Sequence, residues 1–160
     1  MPDLAALNAL PPRDFEELLL RCCAAPGWAR QVTAGRPYES VAELVAAGDA
    51  AWAARVPGDL DAAMAGHPRI GARRLSGWSA GEQSGVGEDA ETLAALADAN
   101  AAYEQRFGHV FLICATGRAP AEILAELNRR MSNDPATERE VAAAEIAKIN
   151  VLRLRKLAAA

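Results

Sequence analysis

The chain is poor in the residues that announce the commoner chemistries. Its 160 residues include three cysteines, Cys22, Cys23 and Cys114. Two are adjacent and none forms a CxxC pair, so neither a zinc cage nor a disulfide framework is indicated, and no metal site is expected. Reduced thiols in a cytoplasmic protein are the plain reading. The net charge is −4; with no excess of basic residues to neutralise phosphates, nucleic acid is not an expected partner. No apolar run approaches the roughly 20 residues of a membrane span, so no membrane partner is expected either. The start, MPDLAALNALPPRDF, has Asp3 where a signal peptide would carry basic residues before an apolar stretch, and a cytoplasmic location is expected. There is no Walker loop, no HExxH and no GxGxxG following a strand. The two lysines, Lys148 and Lys156, share one helical stretch and neither setting suggests a Schiff-base amine. With no repeat period of 20–50 residues and no compositional break, one domain over residues 1–160 is expected.

What is present is helix. Apolar residues make up 51% and charged residues 24%, a globular balance. Asp14 with Glu17 has capping-box spacing and is expected to open a helix that Pro26-Gly27 closes. Ser40 with Glu43 repeats the device for a helix running to Pro57, and a short helix through LDAAMA ends at Gly66. Leu93, Leu96, Asn100, Tyr103 and Phe107 recur at three- and four-residue spacing, the stripe of an amphipathic helix. Pro120 suits the first turn of a helix bearing Ile123, Leu124, Leu127 and Met131. After the NDP turn at 133–135, a last helix carries Val141, Ile146, Ile149 and Leu152. VFLICA (110–115) is the exception, a short continuous apolar run read as a buried extended segment or as a buried helical start. The expected fold class is an all-α, single compact multi-helix domain with that one short apolar segment.

Only two histidines occur, and one of them, His67, lies between Gly66 and Pro68. Proline biases the residue before it away from the α region. A rigid loop presenting one titratable ring is what general acid–base chemistry needs. The plain alternative is a helix C-terminal imidazole favoured by the dipole. SAGEQ (79–83) has Ser79 and Glu82 at capping-box spacing, and a helix N-terminus there would also offer N–H groups to a polar ligand. The backbone of 110–115, if extended, must find hydrogen-bond partners, and an amide-rich heterocycle is one. His109 reads as a packing residue. Arg153, on the last helix, suits a bidentate carboxylate clamp or a solvated face.

The ordered set HPRIG (67–71), SAGEQ (79–83), YEQRFGHVFLICATGR (103–118), AEILAEL (121–127) and EIAKINVLRLRKL (145–157) resembles the 2-oxo-4-hydroxy-4-carboxy-5-ureidoimidazoline (OHCU) decarboxylase family over nearly the whole chain. The resemblance implies an all-helical, cofactor-free carboxy-lyase of urate catabolism that forms (S)-allantoin from a small-molecule substrate, as a homodimer. It implies His67 and Glu82 as catalytic residues. Pro68, Ser79, Ala80, Gly81, Gln83 and the backbone of Phe111, Leu112, Ile113, Cys114 and Ala115 would bind substrate, together with Arg153. Two departures stand out: a shorter stretch between His67 and Ser79, and a histidine at 109 where the family has an aromatic. The competing class is a non-enzymatic helical interaction module, which would expose a large apolar patch.

Overall fold

The computed structural model describes residues 3–69 and 90–159. Among these residues every regular element is an α-helix: α1 (Leu4–Ala9), α2 (Pro12–Cys22), α3 (Pro26–Ala34), α4 (Val41–Ala53), α5 (Pro57–Gly66), α6 (Ala90–Phe107), α7 (Pro120–Arg130) and α8 (Pro135–Leu157). The all-α expectation holds. Five of these helices begin on a proline, where the missing N–H would have had no helical partner and the fixed φ already suits the first turn.

That use of proline corrects two boundaries. The Asp14–Glu17 capping box does not form: α2 opens on Pro12 with Pro11 as N-cap, and Asp14 sits inside the first turn. Pro26 does not merely close α2; the helix stops at Cys22 and Pro26 opens α3. Six-residue α1, whose Asp3 carboxylate accepts from Ala6 N–H at 2.8 Å, has no counterpart in the pattern reading. The Ser40 box does form. Ser40 Oγ accepts from Glu43 N–H at 3.1 Å, and the Glu43 carboxylate reaches back to Glu39 N–H at 2.8 Å.

The chain groups into two compact units, Met1–Gly66 with Ala147–Ala160, and His67–Ile146. In the first, α3 packs against α2, α4 and α5. Trp28 is buried and its indole N–H donates to Gly48 C=O at 2.9 Å. Asp59 of α5 caps α3 from outside, accepting from Gly27 N–H at 3.3 Å and Trp28 N–H at 3.0 Å. This explains the glycine inside a first turn, because a Cβ at residue 27 would lie 2.5 Å from Asp59 Oδ2. Asp59 is buried, so Asp59→Ala is expected to lower stability in urea unfolding by about 1–3 kcal/mol, the range of a lost cap with a charged acceptor.

In the second unit α6 packs on α7. Leu96, Tyr103, Ile123 and Leu127 enclose Phe111, Ile113 and Ala115, with Leu93, Phe107, Leu124 and Met131 at the edge. The stripe read on α6 and the face read on α7 are the ones that pack. Residues 110–115 belong to no helix, so of the two readings left open the helical start is excluded. Gly108 and Gly117 bracket the segment with φ of +79° and +77°. That left-handed conformation is open to glycine at little cost and turns the chain into and out of the run.

Candidate active site

His67 follows directly on the last residue of α5. A Cβ on Gly66 would sit 2.7 Å from the Ala24 Cβ, so close packing selects the glycine before the histidine. The residue is 8% exposed, which is not the setting of a solvated helix-end histidine. Two residues further, Arg69 forks onto Glu104 of α6, with Nε–Oε1 at 2.5 Å and Nη2–Oε2 at 2.9 Å. The hydrogen bond from Arg69 holds the Glu104 carboxyl below the usual carboxylate range.

The neighbouring residue on α6, Tyr103, packs edge-on against Phe111 with ring centroids 5.2 Å apart. One turn of α6 therefore carries both the tether of the His67 loop and the support of the 111–115 segment. His109 also packs here, edge-on to Tyr103 at 5.6 Å and stacked over Phe107 at 6.2 Å. Its imidazole is a packing residue, held between two aromatic rings of α6.

The main chain of the segment is gripped from two helices. Arg130, at the end of α7, donates from Nη1 to the Leu112 carbonyl at 2.7 Å, and its guanidinium lies over the Phe111 ring, 4.4 Å from the centroid. Glu145 of α8 is buried and accepts from Cys114 N–H at 3.2 Å. Among the described residues, Phe111 to Ile113 make no backbone–backbone hydrogen bond. Two main-chain groups of the segment, the Leu112 carbonyl and the Cys114 N–H, thus find charged side-chain partners where a sheet would have supplied peptide groups.

Arg130 is fully buried with Glu138 as its counter-ion. Both Nε, at 2.8 Å, and Nη2 donate to Glu138 Oε1, which also accepts from the Tyr103 hydroxyl, while Asn133 Nδ2 donates to Oε2 at 3.0 Å. Burial pushes the Glu138 carboxyl upward, but the hydrogen bonds from Arg130, Tyr103 and Asn133 outweigh it and the net shift is down. Burial and the bond to Glu138 push the Tyr103 phenol up.

Arg153 lies in the first unit. It is buried, and Nη1 donates to the Cys22 carbonyl at 2.8 Å, so it does not occupy a solvated face. Burial pushes the nearby Cys23 thiol up to about 12, which keeps it protonated and a poor nucleophile near neutrality. Ser79, Ala80, Gly81, Glu82 and Gln83 lie outside the described residues. Among those described, Val56 is the exposed large hydrophobic.

Pattern reading missed Arg130, Glu138 and Glu145. The signal was available in part. Residue 130 falls at i, i+4, i+7 from Ile123 and Leu127, on the buried face of α7, and Glu138 and Glu145 extend the buried stripe of Ala142, Ile146 and Ile149 on α8. A charge at core spacing asks for a buried partner of opposite sign.

Comparison with known proteins agrees with this architecture. The family model described as OHCU decarboxylase matches residues 8–155. The Amia calva 2-oxo-4-hydroxy-4-carboxy-5-ureidoimidazoline decarboxylase is 34% identical, covering 97% of this chain and 94% of that protein. The Arabidopsis thaliana uric acid degradation bifunctional protein TTL is 37% identical over 85% of this chain, which spans only 45% of that longer protein. A crystal structure of OHCU decarboxylase in the presence of (S)-allantoin superposes with a TM-score of 0.80 at 34% identity, covering 89% of this chain and 97% of that one. A crystal structure of (S)-allantoin synthase shares the fold, with a TM-score of 0.73 at 19% identity over 98% of this chain and 53% of that one. The chain belongs to the OHCU decarboxylase family.

Proposed function

We propose that the protein decarboxylates 2-oxo-4-hydroxy-4-carboxy-5-ureidoimidazoline to (S)-allantoin in urate breakdown, using its own side chains and no cofactor. The observation that carries this reading is the buried imidazole of His67, in the family's His-Pro pattern, locked between Gly66 and Pro68. The names of the relatives, an OHCU decarboxylase and a uric acid degradation protein, support it.

The substrate holds a hydroxyl and a carboxylate on one ring carbon, beside a C=N bond. When the C–C bond to the carboxylate breaks, carbon dioxide leaves and the electron pair moves onto that C=N. The nitrogen takes a proton, leaving an enol. Loss of the hydroxyl proton and delivery of one to the ureido-bearing carbon then give allantoin. His67 lies against the hydroxyl and carboxylate and moves the proton there, a role worth about 10²–10⁴ in rate. Glu82 shares in that step. Pro68, Ser79, Ala80, Gly81 and Gln83 hold the ureido group and ring amides together with the Phe111–Ala115 main chain, and Arg153 binds the carboxylate. Protonation from one face sets the S configuration. The protein acts as a cytoplasmic homodimer with one domain per chain, which light scattering on the purified protein tests for the dimer.

The test of activity is circular dichroism of allantoin formation from freshly generated substrate. A positive result is an (S)-allantoin signal growing faster than the spontaneous reaction; decay at the spontaneous rate to racemic product refutes the reading. The Arg69 tether gives a second measurement. Its side chain is 64% exposed, and exposed ion pairs stabilise little. Arg69→Ala is therefore expected to leave the melting temperature nearly unchanged but to lower kcat by about tenfold or more, since about 1 Å of misplacement costs up to 10²-fold. An unchanged kcat would mean that the His67 loop is held without it.

A further inference from the structure

We infer that Arg130 and Glu145 are positioning residues of the substrate site, aiming the main-chain N–H and C=O of Ile113 at the ligand. This rests on the reading above that the backbone of Phe111 to Ala115 lines that site.

The argument is geometric. A peptide group is planar and trans, so its C=O and its N–H point to opposite edges of one plane. The Leu112–Ile113 and Ile113–Cys114 bonds are both trans, the one cis bond among the described residues being Arg36–Pro37. Fixing the Leu112 carbonyl therefore fixes the N–H of Ile113, and fixing the Cys114 N–H fixes the C=O of Ile113. Arg130 does the first, at 2.7 Å from α7. Glu145 does the second, at 3.2 Å from α8. The Ile113 side chain is buried in the cluster with Leu96 and Leu127, which locks the residue between its two directed peptide planes. Ile113 itself makes no backbone–backbone hydrogen bond among the described residues.

The product of this arrangement is a donor and an acceptor on one residue, each oriented by a buried charged side chain. A cyclic ureide offers the complementary pair, an N–H and a C=O adjacent in one ring. Neither Arg130 nor Glu145 needs to touch the ligand; each acts through a peptide plane. Arg130 is itself held by Glu138 and by the Phe111 ring, so its direction is not adjustable by rotation.

The experiment uses the full chain, with turnover on fresh substrate and calorimetric binding of (S)-allantoin. Glu145→Leu is expected to raise KM and the (S)-allantoin Kd by about tenfold, the scale of one well-made hydrogen bond to a charged group, with kcat and helical content little changed. Amide exchange at Cys114 should quicken. Glu145→Gln keeps an acceptor oxygen at the same reach and is expected to restore both constants. Arg130→Met alone would strand the Glu138 carboxylate. The second arm is therefore Arg130→Met/Glu138→Leu, which removes both charges and is expected to show the same rise in KM. Unchanged KM and Kd in Glu145→Leu and in the double variant overturn the proposal, as does a loss that Glu145→Gln fails to restore. If the parent protein neither turns over substrate nor binds (S)-allantoin, the functional reading itself is overturned and the inference with it.

Discussion

His67→Ala is expected to fold like the parent and to decarboxylate its substrate no faster than the uncatalysed reaction. The two halves of that result come from different magnitudes. The ring is buried, so its removal leaves a small void and costs about 0.5–3 kcal/mol, within the usual range for a point change. That is a fraction of the about 5–15 kcal/mol that keeps a domain folded. The lost proton transfer is worth about 10²–10⁴ in rate, or roughly 3–5 kcal/mol of barrier. Nothing nearby in sequence replaces it: the residues on either side are Gly66 and Pro68, and Arg69 has both ends of its fork on Glu104. His67→Gln, which keeps a hydrogen-bonding group but cannot titrate, separates orientation from proton transfer. It is expected to retain (S)-allantoin binding while losing turnover. The measurement is the dichroic signal of allantoin formation, with unfolding in urea as the control. A variant His67→Ala that turns over near the parental rate removes the histidine from the mechanism.

The parts of the molecule legible in sequence are those set by local spacing. The stripe of α6 repeats at three and four residues, and the α7 face of Ile123 and Leu127 reads equally well. The Ser40 cap is a local hydrogen bond between residues three apart. His67 stood out because proline and glycine mark its backbone. What escaped was decided by distant partners. Asp14 matches a cap by its neighbours, yet Pro11-Pro12 starts the helix first. Asp59 looks like an ordinary first-turn acid of α5, but its acceptor oxygens serve α3, more than thirty residues away. The role of Arg130 depends on Glu138 and on a carbonyl eighteen residues back. No window of sequence contains those pairings, and the only local hint is a charge placed where the pattern asks for a hydrocarbon.

That misplaced charge supports the second large effect. Arg130→Met and Glu138→Gln are each expected to destabilise the protein by about 3–5 kcal/mol, because removing one partner leaves the other charge or its donors buried without compensation. For a chain of this length about 1 kcal/mol moves the melting temperature by 2–4 °C, so falls of about 6–20 °C are expected in calorimetry. Arg130→Met/Glu138→Leu should recover much of the loss, since an apolar pair of similar volume is often no worse than a buried ion pair. The pH dependence has a fixed sign. The folded-state value of Glu138 is lowered, so its ionised form stabilises the fold above the ordinary glutamate range, and this contribution fades as pH falls below about 4. The folded-state value of Tyr103 is raised, so the protonated phenol stabilises below about 10 and the contribution is lost as pH rises beyond it. The gap between parent and Glu138→Gln in urea unfolding is accordingly expected to be full at pH 7 and to narrow steadily towards pH 3, while Tyr103→Phe removes the Tyr103 share of the alkaline loss. A gap independent of pH would show that the charge of the Glu138 carboxylate contributes nothing to the fold.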